Sequence, residues 1–174
     1  MRPATPPRHL DGLFHFPLDK RRANRINSIP IMWITRETDY AIRCMLHLSG
    51  RGGEVVVMDE ISEARDIPRS FLAKILQKLS KENLVTSYRG VRGGFSLARA
   101  PRDITLLDVI VAIQGTIALN QCAVDEKMCD LSATCVVHPL WILLKDDFSE
   151  VLGRYDFERL ATLDKEGRPD SLIS

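Results

Sequence analysis

Residues 67–82 have the sequence IPRSFLAKILQKLSKE, in which apolar side chains recur every three or four positions. This spacing predicts an amphipathic helix. Pro68 starts the helix, because the amide that proline lacks would have no partner in a first helical turn. The predicted buried stripe comprises Leu72, Ile75, Leu76 and Leu79. The opposite side carries Ser70, Ala73, Lys74, Gln77, Lys78 and Lys81.

A shorter helix is predicted just upstream, from about Asp59 to Arg65. It ends at Asp66, where the chain turns tightly before Pro68. Aspartate tolerates the left-handed conformation of such a turn better than most residues. Two helices joined by a short turn, with the second basic on its outer face, form a helix-turn-helix.

A glycine-rich hairpin is predicted downstream. The β-prone runs Leu84–Tyr88 and Phe95–Ala98 flank the turn Arg89-Gly90-Val91-Arg92-Gly93-Gly94. Its glycines permit positive φ. A small turn with two arginines suits the minor groove of DNA, where the potential is most negative. We therefore interpret the hairpin as a wing, which makes the fold mainly α with a small β wing.

Charge is distributed unevenly, although the net charge is only +1. Residues 65–102 hold nine Lys and Arg against two acids, whereas residues 103–174 hold six against thirteen. A compact basic segment is typical of a phosphate-binding surface. The acidic remainder would be repelled by DNA. The pattern favours a DNA-binding protein over a winged helix used only for protein contacts.

Further helices are predicted on both sides of this unit. Thr35 caps a helix from Arg36 to Ser49, and Thr105 opens another, through a capping box, to about Gln114. Pro139 starts a last long helix. Its apolar side comprises Leu140, Trp141, Leu144, Phe148, Val151, Leu152 and Tyr155. This stripe is wider than a lone helix needs, so a partner helix is implied.

The composition excludes several classes of protein. No apolar run approaches the roughly 20 residues of a membrane-spanning helix, and no signal peptide is recognisable. No Cys-x-x-Cys pair or acid–base couple indicates an enzyme. Four cysteines, three of them clustered, fit a reducing cytoplasm.

The clustered cysteines are Cys122, Cys129 and Cys135, and His138 follows them. Thiolates beside an imidazole are typical ligands of a soft metal or an iron–sulfur cluster. Structural zinc favours closer cysteine pairs. Three buried structural thiols would be unusual in so polar a loop. Cys44 lies on an apolar helical face and is expected in the core.

Four stretches resemble the Rrf2 superfamily of bacterial regulators, and specifically iron–sulfur regulators of the IscR and NsrR type. The matching stretches are 35–43, 67–76, 84–95 and 135–141. The resemblance implies a homodimeric winged helix held by a long C-terminal helix. It also implies a 2Fe-2S or 4Fe-4S cluster on Cys122, Cys129 and Cys135. The fourth ligand would be His138 for two irons, or Asp39, reaching across the dimer, for four. An exogenous ligand, or no fourth ligand, is the remaining alternative.

The sequence thus predicts a cytoplasmic transcription regulator, usually a repressor, that senses redox state, nitric oxide or iron. The alternatives are a cluster-free regulator of cysteine metabolism like CymR, and a winged-helix interaction module. A homodimer predicts a near-palindromic operator. Expected DNA contacts are Arg69, Ser70, Lys74, Gln77, Lys78, Arg89 and Arg92. The expected parts are a disordered extension (1–31), a winged helix-turn-helix (32–116), a cluster loop (117–138), a dimerisation region (139–163) and a flexible tail (164–174).

Overall fold

Residues 34–90 and 93–167 are described by the computed structural model. Their helices are α1 (Arg36–Ser49), α2 (Met58–Arg65), α3 (Arg69–Lys81), α4 (Leu106–Gln114), α5 (His138–Gly153) and α6 (Phe157–Glu166). Strands β1 (Val85–Tyr88) and β2 (Gly94–Leu97) form an antiparallel pair. The predicted fold class, mainly α with a small β wing, is confirmed. The extension predicted over residues 1–31, Arg92, and the tail beyond Gly167 lie outside the described residues.

Local sequence signals position the helices as expected. The Thr35 hydroxyl accepts a 3.1 Å hydrogen bond from the Thr38 amide and caps α1. Thr105 and Asp108 form a complete capping box at the start of α4. Between α2 and α3, Asp66 adopts the left-handed conformation with a φ of 51°. These features fix the entry points of helices that carry or support the basic surface.

The wing is attached to the helical body through Val56. Its amide and carbonyl both form 2.8 Å hydrogen bonds with Phe95 of β2. A Cβ atom on Gly94 would lie 2.5 Å from the Val56 carbonyl oxygen, so a larger residue would push the two segments apart. At the tip, Gly90 has a φ of 106°, a conformation that glycine adopts readily.

The core lies between α1, α3 and α4. The predicted stripe of α3 is buried in it. So is the inward side of α1, comprising Ala41, Cys44, Met45 and Leu48. Burial of the leucine, isoleucine and methionine side chains among them, at roughly 1.5–3 kcal/mol each, orients α3 so that its polar side faces outward.

The C-terminal region differs from the predicted single long helix. Helix α5 ends at Gly153, and α6 begins at Phe157. The Asp156 side chain caps α6 by accepting from the Arg159 amide at 2.8 Å. Tyr155, expected on the stripe of the long helix, lies in this connection, and its carbonyl accepts from the Leu106 amide. The chain therefore turns back onto the winged-helix body.

Helix α6 is fastened to the body along its length. Phe157 is fully buried in the core. Asp164 forms a 2.7 Å ion pair with Arg65, and the Lys165 amine donates to the Gly50 carbonyl. Because α6 continues to Glu166, ordered helix extends into the segment expected to be a flexible tail.

Candidate nucleic-acid interface and metal centre

The outer side of α3 presents polar and basic side chains to solvent. Arg69, Ser70, Lys74 and Gln77 are all exposed. Arg69 forms a 2.8 Å ion pair with Asp59 of α2, which holds its guanidinium near the turn between the two helices. This surface has the composition of a recognition helix, in which cations meet phosphates and polar groups meet base edges.

Lys78 is placed differently from the other predicted DNA contacts. Its amine donates to the Glu37 carboxylate at 2.9 Å and to the Ile113 carbonyl at 3.3 Å. These partners belong to α1 and α4. The Lys78 side chain is thus directed along the protein surface toward two neighbouring helices.

The wing adds Arg89, another cation of the basic segment 65–102. Arg89 follows β1 directly and is exposed, as is Gly90 at the tip. Arg92 cannot be placed, since it lies outside the described residues. Arg99, which follows β2, is also exposed.

Phe71 is a residue of α3 that the sequence reasoning did not single out. Its side chain is 47% exposed and meets the ring of Tyr40 edge-on, with 6.0 Å between ring centroids. The only signal in the sequence is an aromatic residue outside the leucine stripe. An exposed phenyl ring on a recognition helix can contact the methyl group of thymine.

The cysteine segment consists of short turns between α4 and α5. Cys122 is buried in the 3-10 turn Gln121–Ala123, which packs against α5. Cys129 follows a second turn, Glu126–Met128, and is exposed, whereas Cys135 is half-buried. Among the described residues, no three His, Cys, Asp or Glu side chains are close enough to hold a metal ion. The three thiols therefore share a segment but do not converge.

His138 is the distinctive group of this segment. It is buried, and neither ring nitrogen has a hydrogen-bond partner within the described part of the chain. The nearest carboxylate, that of Glu126, lies 3.7 Å from Nε2, which is too far for a hydrogen bond. A buried polar group without a partner is costly. His138 is the first residue of α5, and Val137 precedes it at the N-cap position.

Asp39 lies in the first turn of α1, outside the cysteine segment. Its carboxylate forms a 2.7 Å ion pair with Arg43, and both side chains are nearly half exposed. Arg43 also lies over the Tyr40 ring. Asp39 is therefore already engaged within its own helix.

Cys44 is separate from this chemistry. It is fully buried in the core, as expected. Burial raises the pKa of its thiol to about 12, so it remains protonated and behaves as a small apolar side chain.

Comparison with known proteins agrees with the winged-helix geometry. The family model described as Rrf2, iron-dependent transcriptional regulator, matches residues 34–162. The chain belongs to the Rrf2 family of transcriptional regulators. Members of this family are DNA-binding regulators and not enzymes. This confirms the prediction of a DNA-binding transcription regulator and the prediction that the protein is not an enzyme.

The similar proteins include regulators of two names, IscR and CymR. The transcriptional regulator IscR of Photorhabdus laumondii is 31% identical over 145 residues, covering 80% of this chain and 88% of that one. The T. potens IscR structure has a TM-score of 0.61 at 25% identity, covering 78% of this chain and 90% of that one. The structure of CymR, the global cysteine regulator of B. subtilis, has a TM-score of 0.62 at 26% identity, covering 76% and 98%.

In the part of the Rrf2 chain that the structure describes, no helix has the length and apolar character needed to span a bilayer.

Proposed function

We propose that this Rrf2-family protein is a homodimeric repressor whose operator binding is controlled by an iron–sulfur cluster held in the cysteine segment. The single observation that carries the proposal is the buried His138 imidazole with both nitrogens unpaired. It directly follows a segment with three thiols, and coordination of iron would satisfy one of its nitrogens. The donor set of three thiolates and one imidazole is suited to iron.

The proposed ligands are Cys122, Cys129 and Cys135, with His138 as fourth ligand of a two-iron cluster. Asp39 of a second subunit remains the candidate for a four-iron cluster. His138 is favoured, because Asp39 is paired with Arg43 whereas the imidazole lacks a hydrogen-bonding partner. When bound, the cluster would make the coordination of the cysteine segment sensitive to oxidation, nitrosylation and iron supply.

The backbone of the segment permits the thiols to come together. Among the described residues, the backbone hydrogen bonds of residues 120–138 outside α5 join residues three or four apart. Such local turns can rearrange without breaking contacts to the body. We propose that the exposed Cys129 moves toward Cys122, which is anchored against α5, when the site is filled.

DNA contact is proposed through α3 and the wing. Helix α3 would enter the major groove, with base and phosphate contacts from Arg69, Ser70, Phe71, Lys74 and Gln77. Arg89 and Arg92 would enter or flank the adjacent minor groove. The protein would act in the cytoplasm, where its operator lies.

A second copy of the chain is the proposed occupant of the outer face of α5. Large apolar side chains are exposed along it, namely Leu140, Leu143, Phe148 and Val151. Contiguous exposed apolar surface of this kind is typical of an interface. Pairing through α5 about a two-fold axis would relate the two α3 helices by the same axis, which predicts a near-palindromic operator.

A cluster-free cysteine regulator is the second candidate function. The likeness to CymR and the thiols that do not converge favour it. Under this alternative the exposed Cys129 would be a redox-active thiol rather than an iron ligand.

Anaerobic purification tests the cluster. Iron and sulfide content and Mössbauer spectra are measured on wild type, His138→Ala and Asp39→Ala, with Asp130→Ala as a matched control in the same loop. We expect a coloured wild type and control, and altered iron sites only in His138→Ala. A colourless wild type without iron or sulfide would exclude the cluster and leave the cysteine-regulator alternative.

Binding to a duplex from the chain's own promoter region tests the DNA surface. Lys74→Ala and Arg89→Ala are each expected to weaken binding. Each lost phosphate contact should also reduce the slope of log affinity against log salt by about 0.9. Arg154→Ala, an exposed cation at the end of α5, is the control. If neither variant differs from it, the recognition helix and wing are misassigned.

A further inference from the structure

We propose that Lys78 is a positioning residue that joins the recognition helix to the chain entering the cysteine segment, and that it does not contact DNA. The inference rests on the proposed function, in which α3 binds operator DNA and the cysteine segment holds the sensing group. It assigns to this lysine, which a helical projection places on the DNA-facing side, a regulatory role instead.

The contacts of Lys78 join three helices at one point. Its amine, on α3, donates to Glu37 in the first turn of α1 and to the Ile113 carbonyl in the last turn of α4. The final carbonyls of a helix lack intrahelical partners and carry partial negative charge. The Lys78 amine therefore has two acceptors in this position, a carboxylate and a carbonyl at a helix end.

A second set of hydrogen bonds fixes the same end of α4. The Gln114 side-chain oxygen accepts from the Thr38 hydroxyl at 2.7 Å and from the Thr35 amide at 3.2 Å. Thr38 is fully buried. The C-terminus of α4 is thus held by α1 and α3 together, through side chains of Gln114 and Lys78.

The cysteine segment follows the C-terminus of α4 in the chain. Helix α4 ends at Gln114, and Gly115 follows with a φ of 87°. Cys122 lies in the 3-10 turn Gln121–Ala123 a few residues further along. A movement of the cysteine segment that pulls on the end of α4 therefore acts on the Ile113 carbonyl. Lys78 passes that displacement to α3, the helix proposed to enter the groove.

The ion pair contributes little to overall stability, since both side chains are partly exposed. Variants at these positions should therefore fold, which circular dichroism checks. Lys78→Arg preserves the charge and the donors and serves as a conservative variant.

The test measures affinity of the full-length protein for its own promoter duplex as a function of salt. The variants are Lys78→Met, Glu37→Gln and the double variant, with Lys74→Met as the matched lysine. We expect Lys78→Met and Glu37→Gln to shift affinity in the same direction, and the double variant to match either single one. For Lys78→Met and Glu37→Gln, the slope of log affinity against log salt should equal that of wild type. For Lys74→Met, the slope should fall by about 0.9.

The same variants are compared as iron-loaded and chelator-treated protein. The ratio of the two affinities should fall by about fivefold or more in Lys78→Met and Glu37→Gln and be restored in Lys78→Arg. The inference is overturned if Lys78→Met loses as much salt slope as Lys74→Met while Glu37→Gln strengthens binding, because Lys78 would then contact phosphate. If the protein binds no iron, the proposed function fails, but the salt slopes still decide the role of Lys78.

Discussion

The Phe157 amide donates a 2.9 Å hydrogen bond to the Ile104 carbonyl, and both side chains are fully buried. This contact returns the chain to the winged-helix body after α5. Together with the Thr105–Asp156 bridge, it makes α6 part of the DNA-binding unit rather than an extension of α5. The turn Arg154–Asp156 therefore links α5 to a helix that is fixed to the body.

Replacing Phe157 with alanine should lower the free energy of unfolding by about 3–5 kcal/mol, because it removes a large side chain from a packed core. Urea unfolding followed by circular dichroism measures the change. Phe71→Ala is the control, since it removes a half-exposed ring whose edge-on contact is worth about 0.5–1.5 kcal/mol. Equal losses in the two variants would show that α6 is not anchored by Phe157.

Leu143→Glu should convert the protein from dimer to monomer. The substitution puts a charge in the middle of the exposed apolar face of α5, and burying it in an interface is strongly unfavourable. Analytical ultracentrifugation gives the molecular mass. Val111→Glu alters a similarly exposed apolar residue on α4 and should leave the mass unchanged. A monomeric wild type, or a dimeric Leu143→Glu, would contradict dimerisation through α5.

Stability should fall below about pH 6.5 through His47. Desolvation and the guanidinium groups of Arg65 and Arg51 lower the pKa of this imidazole below its ordinary value. The unfolded chain protonates near pH 6.5, so between the two pKa values it binds more protons than the folded chain, and lower pH favours unfolding.

His47→Gln removes this titration but keeps a donor near Glu60, which lies 3.1 Å from the imidazole. Comparing unfolding free energies at pH 7.5 and 5.5 should show a smaller acid loss in the variant. An unchanged loss would mean that other groups cause it.

Thiol reactivity should differ sharply along the metal-free chain. Cys129 is exposed, whereas burial raises the pKa of Cys44 to about 12. Since the thiolate is the reactive form, iodoacetamide at neutral pH should label Cys129 first and Cys44 only after unfolding. Peptide mass mapping follows the order. Labelling of both at the same rate in native protein would show that Cys44 is not in a closed core.

Local signals in the sequence predicted most of the fold. The period of α3 and the caps at Thr35 and Thr105 depend on neighbouring residues alone, so they could be recognised without a structure. The break before Phe157 was not predicted, because the apolar stripe runs on to Tyr155, past the end of α5 at Gly153. What decides it is a contact with Ile104, more than fifty positions earlier in the chain.

The sequence indicates which residues are candidates for the site, but not how their side chains are arranged in space. The helical period places Lys78 beside Lys74, yet only the packing of α1 and α4 shows that Lys78 meets Glu37 and Ile113. Likewise, the spacing of the cysteines indicates metal ligands, while the burial of His138 depends on how α5 packs.

In the proposed function, the state of the cysteine segment controls operator binding. Its most direct test is an anaerobic fluorescence anisotropy titration of the promoter duplex with iron-loaded wild type, chelator-treated wild type and Cys129→Ala. We expect the loaded and chelator-treated proteins to differ about tenfold or more in affinity, and Cys129→Ala to behave like the chelator-treated form. Identical affinities for all three would contradict it.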